Sequence, residues 1–271
     1  MSIGGVRWAF QLIREGKTRF LLAEVWMRLY KQLQEVAFFF RYGLFGRMRP
    51  IVETKIRVET KYPVAFESPD HIAPRGTMND NSTNKKFVVS MVRRLERESP
   101  GREHGHLDLG CSGGQLVRDF RDMGWLAVGL EGSDYSLKHQ RANWPELAGK
   151  NLFTCDITKP FRILADEKPA AFDLVTAWEV LEHIATPDLP SLFTNILSHL
   201  QPGGYVIAST TSTPDINEGV DLHQTKWTNE EWGRMIAAKY PELERVDVGL
   251  KFYQFVRHNE ERSFLVYRKK R

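Results

Sequence analysis

The sequence predicts an α/β protein with a mostly parallel sheet and an antiparallel strand pair at its end, and three observations carry that reading. The stretch 106–132, HLDLGCSGGQLVRDFRDMGWLAVGLEG, reads as strand, glycine turn, helix and strand. The same alternation continues downstream, with a helix near 135–142, strands at 152–155 and 172–177, a helix over 187–200 and a strand over 205–210. After a helix near 230–239, the apolar runs 243–252 and 263–268 suit a terminal antiparallel pair.

The first unit carries the strongest chemical signal. Leu107 to Leu109 is a short apolar run that stops at Gly110-Cys-Ser-Gly-Gly, where small residues let the backbone turn sharply and approach a ligand closely. In the following helix Leu116, Val117 and Phe120 share one face, Arg118, Asp119, Arg121 and Asp122 another, and Gly124 marks the stop. A second buried strand then ends in Glu131. Such a unit binds a nucleotide-like ligand at the carboxyl ends of its strands, with the carboxylate after the second strand placed for ribose hydroxyls. A dinucleotide fingerprint starting at Gly110 would need a small residue at 115, where this chain has Gln. Ser112 stands where a related glycine pattern has its middle glycine; serine does not take positive φ cheaply, so ordinary backbone dihedrals are expected there.

Length and composition agree with this class. At 271 residues, with 42% hydrophobic and 27% charged residues, the chain suits one sizeable domain plus an appendage rather than a disordered polymer. The two cysteines, Cys111 and Cys155, sit at predicted strand ends, which argues for a reducing compartment and against a disulfide framework. No signal-peptide core or membrane-length apolar run is present in the sequence, so a cytoplasmic protein is expected.

Three regions are expected: a basic aromatic segment at 1–50, a strand and loop region at 51–84, and the α/β domain at 85–271. Residues 1–50 hold nine Lys/Arg against three Asp/Glu, so the net +4 of the whole chain is concentrated there. Leu22, Val25, Trp26, Leu29, Leu33 and Val36 recur at helical spacing, predicting an N-terminal helical appendage. Its apolar stripe can pack on the domain or on a second copy, giving a homodimer, or it can lie peripherally on the anionic inner membrane face. Nucleic acid is the weaker partner, since the basic residues are scattered and no RNA-binding module is recognisable. Residues 51–60 partly alternate and read as an exposed strand, and the turn-rich loop 67–84 precedes a helix starting at Lys85. That loop is placed to fold over a ligand, with Asp80 and Asn81 as candidates for touching it; the plainer alternative is a linker.

Asp108, Gly110, Ser112 and Gly114 resemble motif I of the class I S-adenosylmethionine-dependent methyltransferases, and the resemblance runs through roughly residues 85–270. It implies a Rossmann-like sheet and S-adenosylmethionine as cofactor, with Glu131 and Gly132 at the ribose, Asp156 and Ile157 at the adenine, and Trp178 beside the cofactor. The Leu200-Gln-Pro-Gly-Gly turn and the strand after it resemble the family's fifth strand. The 67–82 loop, ESPDHIAPRGTMNDNS, joined to DLGCSGG, resembles methyltransferase-domain proteins of surface-polysaccharide biosynthesis. That likeness implies a glycan or lipid-linked saccharide as acceptor.

The chemistry is expected beside the fourth strand, in Trp178-Glu-Val-Leu-Glu-His. If this stretch is helical, Glu179, Glu182 and His183 project from one face, and His223 on a later polar loop supplies a fourth donor. Carboxylates and imidazoles with open positions suit Mg²⁺, Mn²⁺ or Zn²⁺, which would assist an aliphatic hydroxyl; with no metal, His183 or His223, with Glu182 beside them, would serve as base. The E-x-x-E-H and later His resemble the small-RNA 3′-terminal 2′-O-methyltransferases, and a similar E-x-x-E-H occurs in ubiquinone-pathway O-methyltransferases. The plain alternative is a polar helix start. An O-methyltransferase acting on a glycan is therefore expected, with a small-molecule or RNA-end O-methyltransferase, or a non-catalytic cofactor-binding scaffold, as the alternatives.

Overall fold

The structure is a computed structural model, and it describes residues 53–79, 81, 83, 85–217, 219–249 and 262–271. The expected amphipathic helix in 1–50 and the candidate Asp80 lie outside the described residues.

A seven-stranded sheet organises the domain. Its parallel part comprises β2 (Gly105–Leu109), β3 (Leu126–Glu131), β4 (Leu152–Thr154), β7 (Phe172–Trp178) and β8 (Leu200–Thr211). The edge is completed by β11 (Leu243–Arg245) and β12 (Arg262–Lys269), with β12 antiparallel to both β8 and β11. The order across the sheet is β11-β12-β8-β7-β2-β3-β4. The reversal of strand order on either side of β2 places a crevice at the carboxyl ends of β2, β3 and β7, where open α/β sheets bind ligands.

Two apolar layers sandwich the sheet, because successive strand residues point to opposite faces. On one side Leu107, Leu109, Val128, Leu130 and Val175 pack with α7 (Leu189–His199) and α8 (Asn229–Lys239) through Leu192, Phe193, Ile196, Trp232 and Ile236. On the other, Leu174, Tyr205 and Ile207 pack with α3 (Lys85–Glu98) and α4 (Gln115–Asp122) through Phe87, Met91, Val117 and Phe120. Thr228 begins α8 with a capping box: its side chain accepts from the Glu231 N–H while the Glu231 carboxylate accepts from the Thr228 N–H. Among the described residues no helix is long and apolar enough to cross a membrane.

The expected strand in 51–60 is β1 (Ile56–Thr60), antiparallel to β5 (Phe161–Ala165) in a small sheet completed by β6 (Lys168–Pro169). After β1 the chain crosses to the crevice as α1 (Pro69–Ile72) and α2 (Arg75–Asn79). The expected helix at 135–142 shrinks to α5 (Tyr135–Lys138), with Gln140 and Ala142 at φ of 48° and 50°. A second short helix, α6 (Trp144–Leu147), follows it. Beyond β8, a short antiparallel pair, β9 (Ile216–Asn217) and β10 (Val220–Asp221), leads into the loop that carries His223.

The Gly110–Gly114 turn departs from expectation at Ser112, which takes φ 46°. Tertiary hydrogen bonds impose that conformation: the Ser112 N–H donates to Glu131 Oε2 at 2.7 Å, and Trp144 Nε1 donates to the Ser112 carbonyl at 2.7 Å. A left-handed non-glycine residue costs about 1–3 kcal/mol, and these bonds offset it. Gly114 has φ 78° and leads into α4, and a Cβ there would lie 2.4 Å from Leu152 Cδ1. Replacing Gly114 by Ala is therefore expected to lower stability by at least about 1–2 kcal/mol from the backbone alone. Urea denaturation checks this, and an unchanged midpoint would show that the turn relaxes freely.

Candidate functional site

The crevice opens into a cavity of about 830 Å³, a size suited to a ligand larger than a metabolite fragment. Of the expected cofactor residues, Asp108, Gly110, Ser112, Glu131, Gly132, Asp156, Ile157 and Trp178 line it. Gly114 sits behind the wall as the N-cap of α4.

Glu131 is buried at the end of β3, and its carboxylate accepts three hydrogen bonds from the chain. The Ser112 N–H donates to Oε2 at 2.7 Å, the Ser133 N–H to Oε1 at 3.2 Å, and Thr77 Oγ1 to Oε1 at 3.4 Å. Burial raises its pKa while the N–H donors oppose the rise. Asp156 accepts through Oδ1 from the Thr158 N–H at 2.9 Å and the Thr158 hydroxyl at 2.6 Å, which fixes its carboxylate at the cavity wall. Asn81, expected to meet the ligand, also supports the fold, because its Oδ1 accepts the Gln115 N–H at 3.1 Å and so satisfies the first turn of α4.

Asp108 belongs to a buried polar chain that sequence reading did not find. Thr176 Oγ1 donates to Asp108 Oδ1 at 2.6 Å and lies 2.8 Å from His106 Nε2. Because the threonine proton is committed to the aspartate, His106 must donate from Nε2. Burial lowers the His106 pKa to about 3, keeping the ring neutral against Phe120, whose ring centroid is 4.0 Å away. Burial also pushes Asp108 up to about 7, with the Thr176 hydrogen bond working against the rise and the Glu131 charge adding to it.

The side of the cavity that carries Glu182, His183 and His223 is built from three separate segments. After β7 the chain forms a single 3-10 turn, Leu181–His183, instead of the expected helix. Glu179 takes φ 56°, and its carboxylate accepts from Ser209 Oγ at 2.7 Å, so it does not share a face with its neighbours. This corrects the four-residue donor set: Glu182, His183 and His223 each place one donor atom within 4.8 Å of the others, and Glu179 stands outside that group. The His223 loop is fastened to the turn by Gln224 and Thr225, whose N–H groups donate to the Glu182 carbonyl at 2.7 and 2.9 Å. The two imidazoles meet edge to face with centroids 4.7 Å apart.

Both rings meet an oxygen at Nδ1, His223 through a hydrogen bond and His183 through an ion-pair contact. His223 Nδ1 bonds the Thr213 carbonyl, which can only accept, so that nitrogen carries the proton and Nε2 the lone pair. His183 Nδ1 lies 2.8 Å from Asp70 Oδ2 on α1. Burial of His183 disfavours its charge, but the Asp70 carboxylate beside it, with Glu182 and Asp215, raises its pKa to about 9. Asp70, Thr77, Asp215 and Arg141 escaped the sequence reading. Arg141 Nε donates to the Met78 carbonyl at 2.7 Å and its Nη1 to Ser112 Oγ at 3.3 Å, tying α2 to the glycine turn.

A seven-stranded sheet of this order, with a carboxylate at the end of β3 and the glycine turn after β2, defines a Rossmann-like methyltransferase fold. Residues 84–246 match the family model for a methyltransferase domain, and the chain belongs to that family. Curated relatives include the ubiquinone biosynthesis O-methyltransferases of Idiomarina loihiensis and Bordetella pertussis, each 35% identical over 104 residues. Those matches cover 38% of this chain and 41% of either relative, so the chain spans about two fifths of their length. Among solved structures, the plantazolicin methyltransferase BpumL with a triazolic analog and SAH aligns at TM-score 0.52 and 13% identity. That alignment covers 76% of this chain and 93% of BpumL and speaks for the fold.

The Asp108 environment generates a pH prediction. A carboxyl whose folded pKa is raised to about 7 contributes its full stability below the ordinary carboxylate range and loses it as pH rises through that range to about 7. Asp108→Asn keeps the Thr176 bond and removes the titration. In urea unfolding of the cofactor-free protein, the variant should lose less stability between pH 5 and pH 8 than the parent. Parallel curves would contradict the buried-acid assignment.

Proposed function

We propose that this chain is an S-adenosylmethionine-dependent O-methyltransferase whose acceptor hydroxyl is handled by Glu182, His183 and His223. The observation that carries the reading is the convergence of those three donors beside the cavity that Glu131 and Asp156 line. The family membership and the fold support the cofactor, with Glu131 for the ribose hydroxyls and Asp156 with the Ile157 N–H for the adenine.

S-adenosylmethionine carries an electrophilic methyl on a sulfonium, so the protein must mainly align the acceptor oxygen in line with it and remove its proton. His223 presents the Nε2 lone pair and is the base in this arrangement, since His183 carries its proton at neutral pH. Once His183 has lost the proton that the neighbouring carboxylates favour, the donor set of one buried carboxylate and two imidazoles suits a divalent ion such as Mg²⁺, Mn²⁺ or Zn²⁺, and His223 is then a ligand instead of the base. When bound there, such an ion would stabilise negative charge on the hydroxyl oxygen. Thr213, Asp215 and Gln224 also line the cavity near His223 and suit a hydroxyl-rich acceptor, a sugar of a glycan or lipid-linked saccharide. The likeness to the ubiquinone biosynthesis O-methyltransferases favours a second acceptor class, a small-molecule hydroxyl.

Two measurements test this. Glu131→Ala should weaken S-adenosylhomocysteine binding by about 1.5–3 kcal/mol for each charged hydrogen bond lost, read by calorimetry on the folded variant. Unchanged affinity would remove the ribose assignment. Methyl transfer from labelled cofactor to saccharide and small-molecule acceptors should stop in EDTA and return with Mg²⁺ or Mn²⁺, while S-adenosylhomocysteine binding persists. Full turnover in excess EDTA would leave His223 as a base acting without an ion.

A further inference from the structure

The large apolar side chains left in solvent are confined to two places. Among the described residues these are Tyr62, Phe66, Ile72, Met78, Ile216 and Val220, and all six stand on the segment between β1 and α3 or on the β9–β10 hairpin. Exposed apolar groups scattered singly are ordinary, whereas a set gathered around one opening marks contact with an apolar partner. Phe66 is 63% exposed and yet lines the cavity, so it stands at the mouth. Ile72 and Ile216 are as open, at 67% and 65%.

The two segments converge on one imidazole. Ile72 follows Asp70 on α1, whose carboxylate lies 2.8 Å from His183, and Phe66 meets the His71 ring of the same helix edge to face with centroids 5.2 Å apart. The hairpin leaves the cavity wall at Asp215 and returns to it at Leu222, whose N–H donates to the Asp215 carbonyl at 2.8 Å. His223, whose ring meets His183, comes next in the chain. The wall there is polar, with Thr213, Asp215 and Gln224.

We infer that the acceptor is an amphiphile: its hydroxyl-bearing end enters the polar part of the cavity, and an apolar chain attached to it lies over Phe66, Ile72 and Ile216 at the mouth. The inference rests on the methyl-transfer reading for calling the guest an acceptor and on the exposed side chains for its apolar part. The surface changes from apolar to polar within one residue, from Ile216 to the cavity-lining Asp215, which suits a single ligand with a polar head and an apolar tail. A partner protein or a second copy seated on the same side chains would instead close the mouth through which an acceptor passes. Of the acceptors considered above, a saccharide carried on a lipid has this chemistry and a free glycan does not.

The test uses the full chain with S-adenosylhomocysteine and takes methyl, butyl, hexyl and octyl β-D-glucosides as probes, each below the concentration at which it forms micelles, with affinities read by ligand-observed NMR. Affinity should rise about two- to fourfold for each added methylene that the rim covers. The rise should shrink in Ile72→Ser and in Ile216→Ser and vanish in the double variant. Both positions are exposed, so S-adenosylhomocysteine affinity should stay within about twofold in every variant. Affinity that does not change with chain length overturns the inference, as does a rise that survives the double substitution. Sedimentation with phosphatidylcholine vesicles that the double variant loses, alongside a flat glucoside series, would assign the rim to a membrane surface instead. A dimer in analytical ultracentrifugation that the double variant dissociates would assign it to a second copy. The glucoside series needs no methyl transfer, so a chain-length gain without turnover of any hydroxyl acceptor would fault the methyl-transfer reading alone, and turnover with a flat series would fault this inference alone.

Discussion

The buried carboxylate of Glu131 is the constraint to which the crevice is fitted. An ionised carboxylate with almost no solvent must be met by hydrogen-bond donors, or its burial costs several kcal/mol. The nearest donor is the Ser112 N–H, and it points at Oε2 only because Ser112 accepts a left-handed backbone. Trp144 on α6 then holds the Ser112 carbonyl, Arg141 holds the Ser112 hydroxyl, and Thr77 brings α2 to the other carboxylate oxygen. One charge thus fixes the glycine turn, the chain after α5 and the segment that covers the crevice.

The two halves of the cavity are organised differently. The half that carries Glu131 rises from adjacent parallel strands, so Asp108 and Glu131 are placed by sheet register: Asp108 pairs with Gly129 on one side and Thr176 on the other. The half that carries His183 and His223 is assembled from α1, the turn after β7 and the loop after β10, which meet through an ion pair, loop hydrogen bonds and a ring contact. A Cβ at Gly110 would lie 2.4 Å from Val180 Cγ2, so the glycine turn and the turn after β7 are in direct contact. That contact carries the alignment of one half to the other.

The same difference explains what could be read from the sequence. The succession of strands and helices, the glycine turn and the place of Glu131 at a strand end were legible because hydrophobic runs and small residues encode them locally. The pairing of His183 with His223 was anticipated from residue type, yet Glu179 was misplaced because i, i+3 and i+4 spacing implies convergence only on a helix, and the chain makes a left-handed residue and one 3-10 turn there. Asp70 and Thr77 carry no local signal, since their partners lie on β3 and after β7. The left-handed Ser112 was illegible for a related reason: its conformation is selected by a tertiary acceptor and opposed by its own propensity.

Charge orders the cavity further. Its lining carries Asp70, Glu131, Asp156, Glu179 and Asp215, while Lys159, the single lysine of that lining among the described residues, lies 3.5 Å from Asp188. A field of this sign favours ligands that arrive positive, and S-adenosylmethionine brings both a sulfonium and an ammonium. His183 shows how strongly the carboxylates act: three of them overcome the burial that would otherwise keep the ring neutral. One of those three, Asp70, stands on α1, and Glu131 meets the same segment through Thr77, so the carboxylates that set the charge of the cavity also join the segment from β1 to α3 to it.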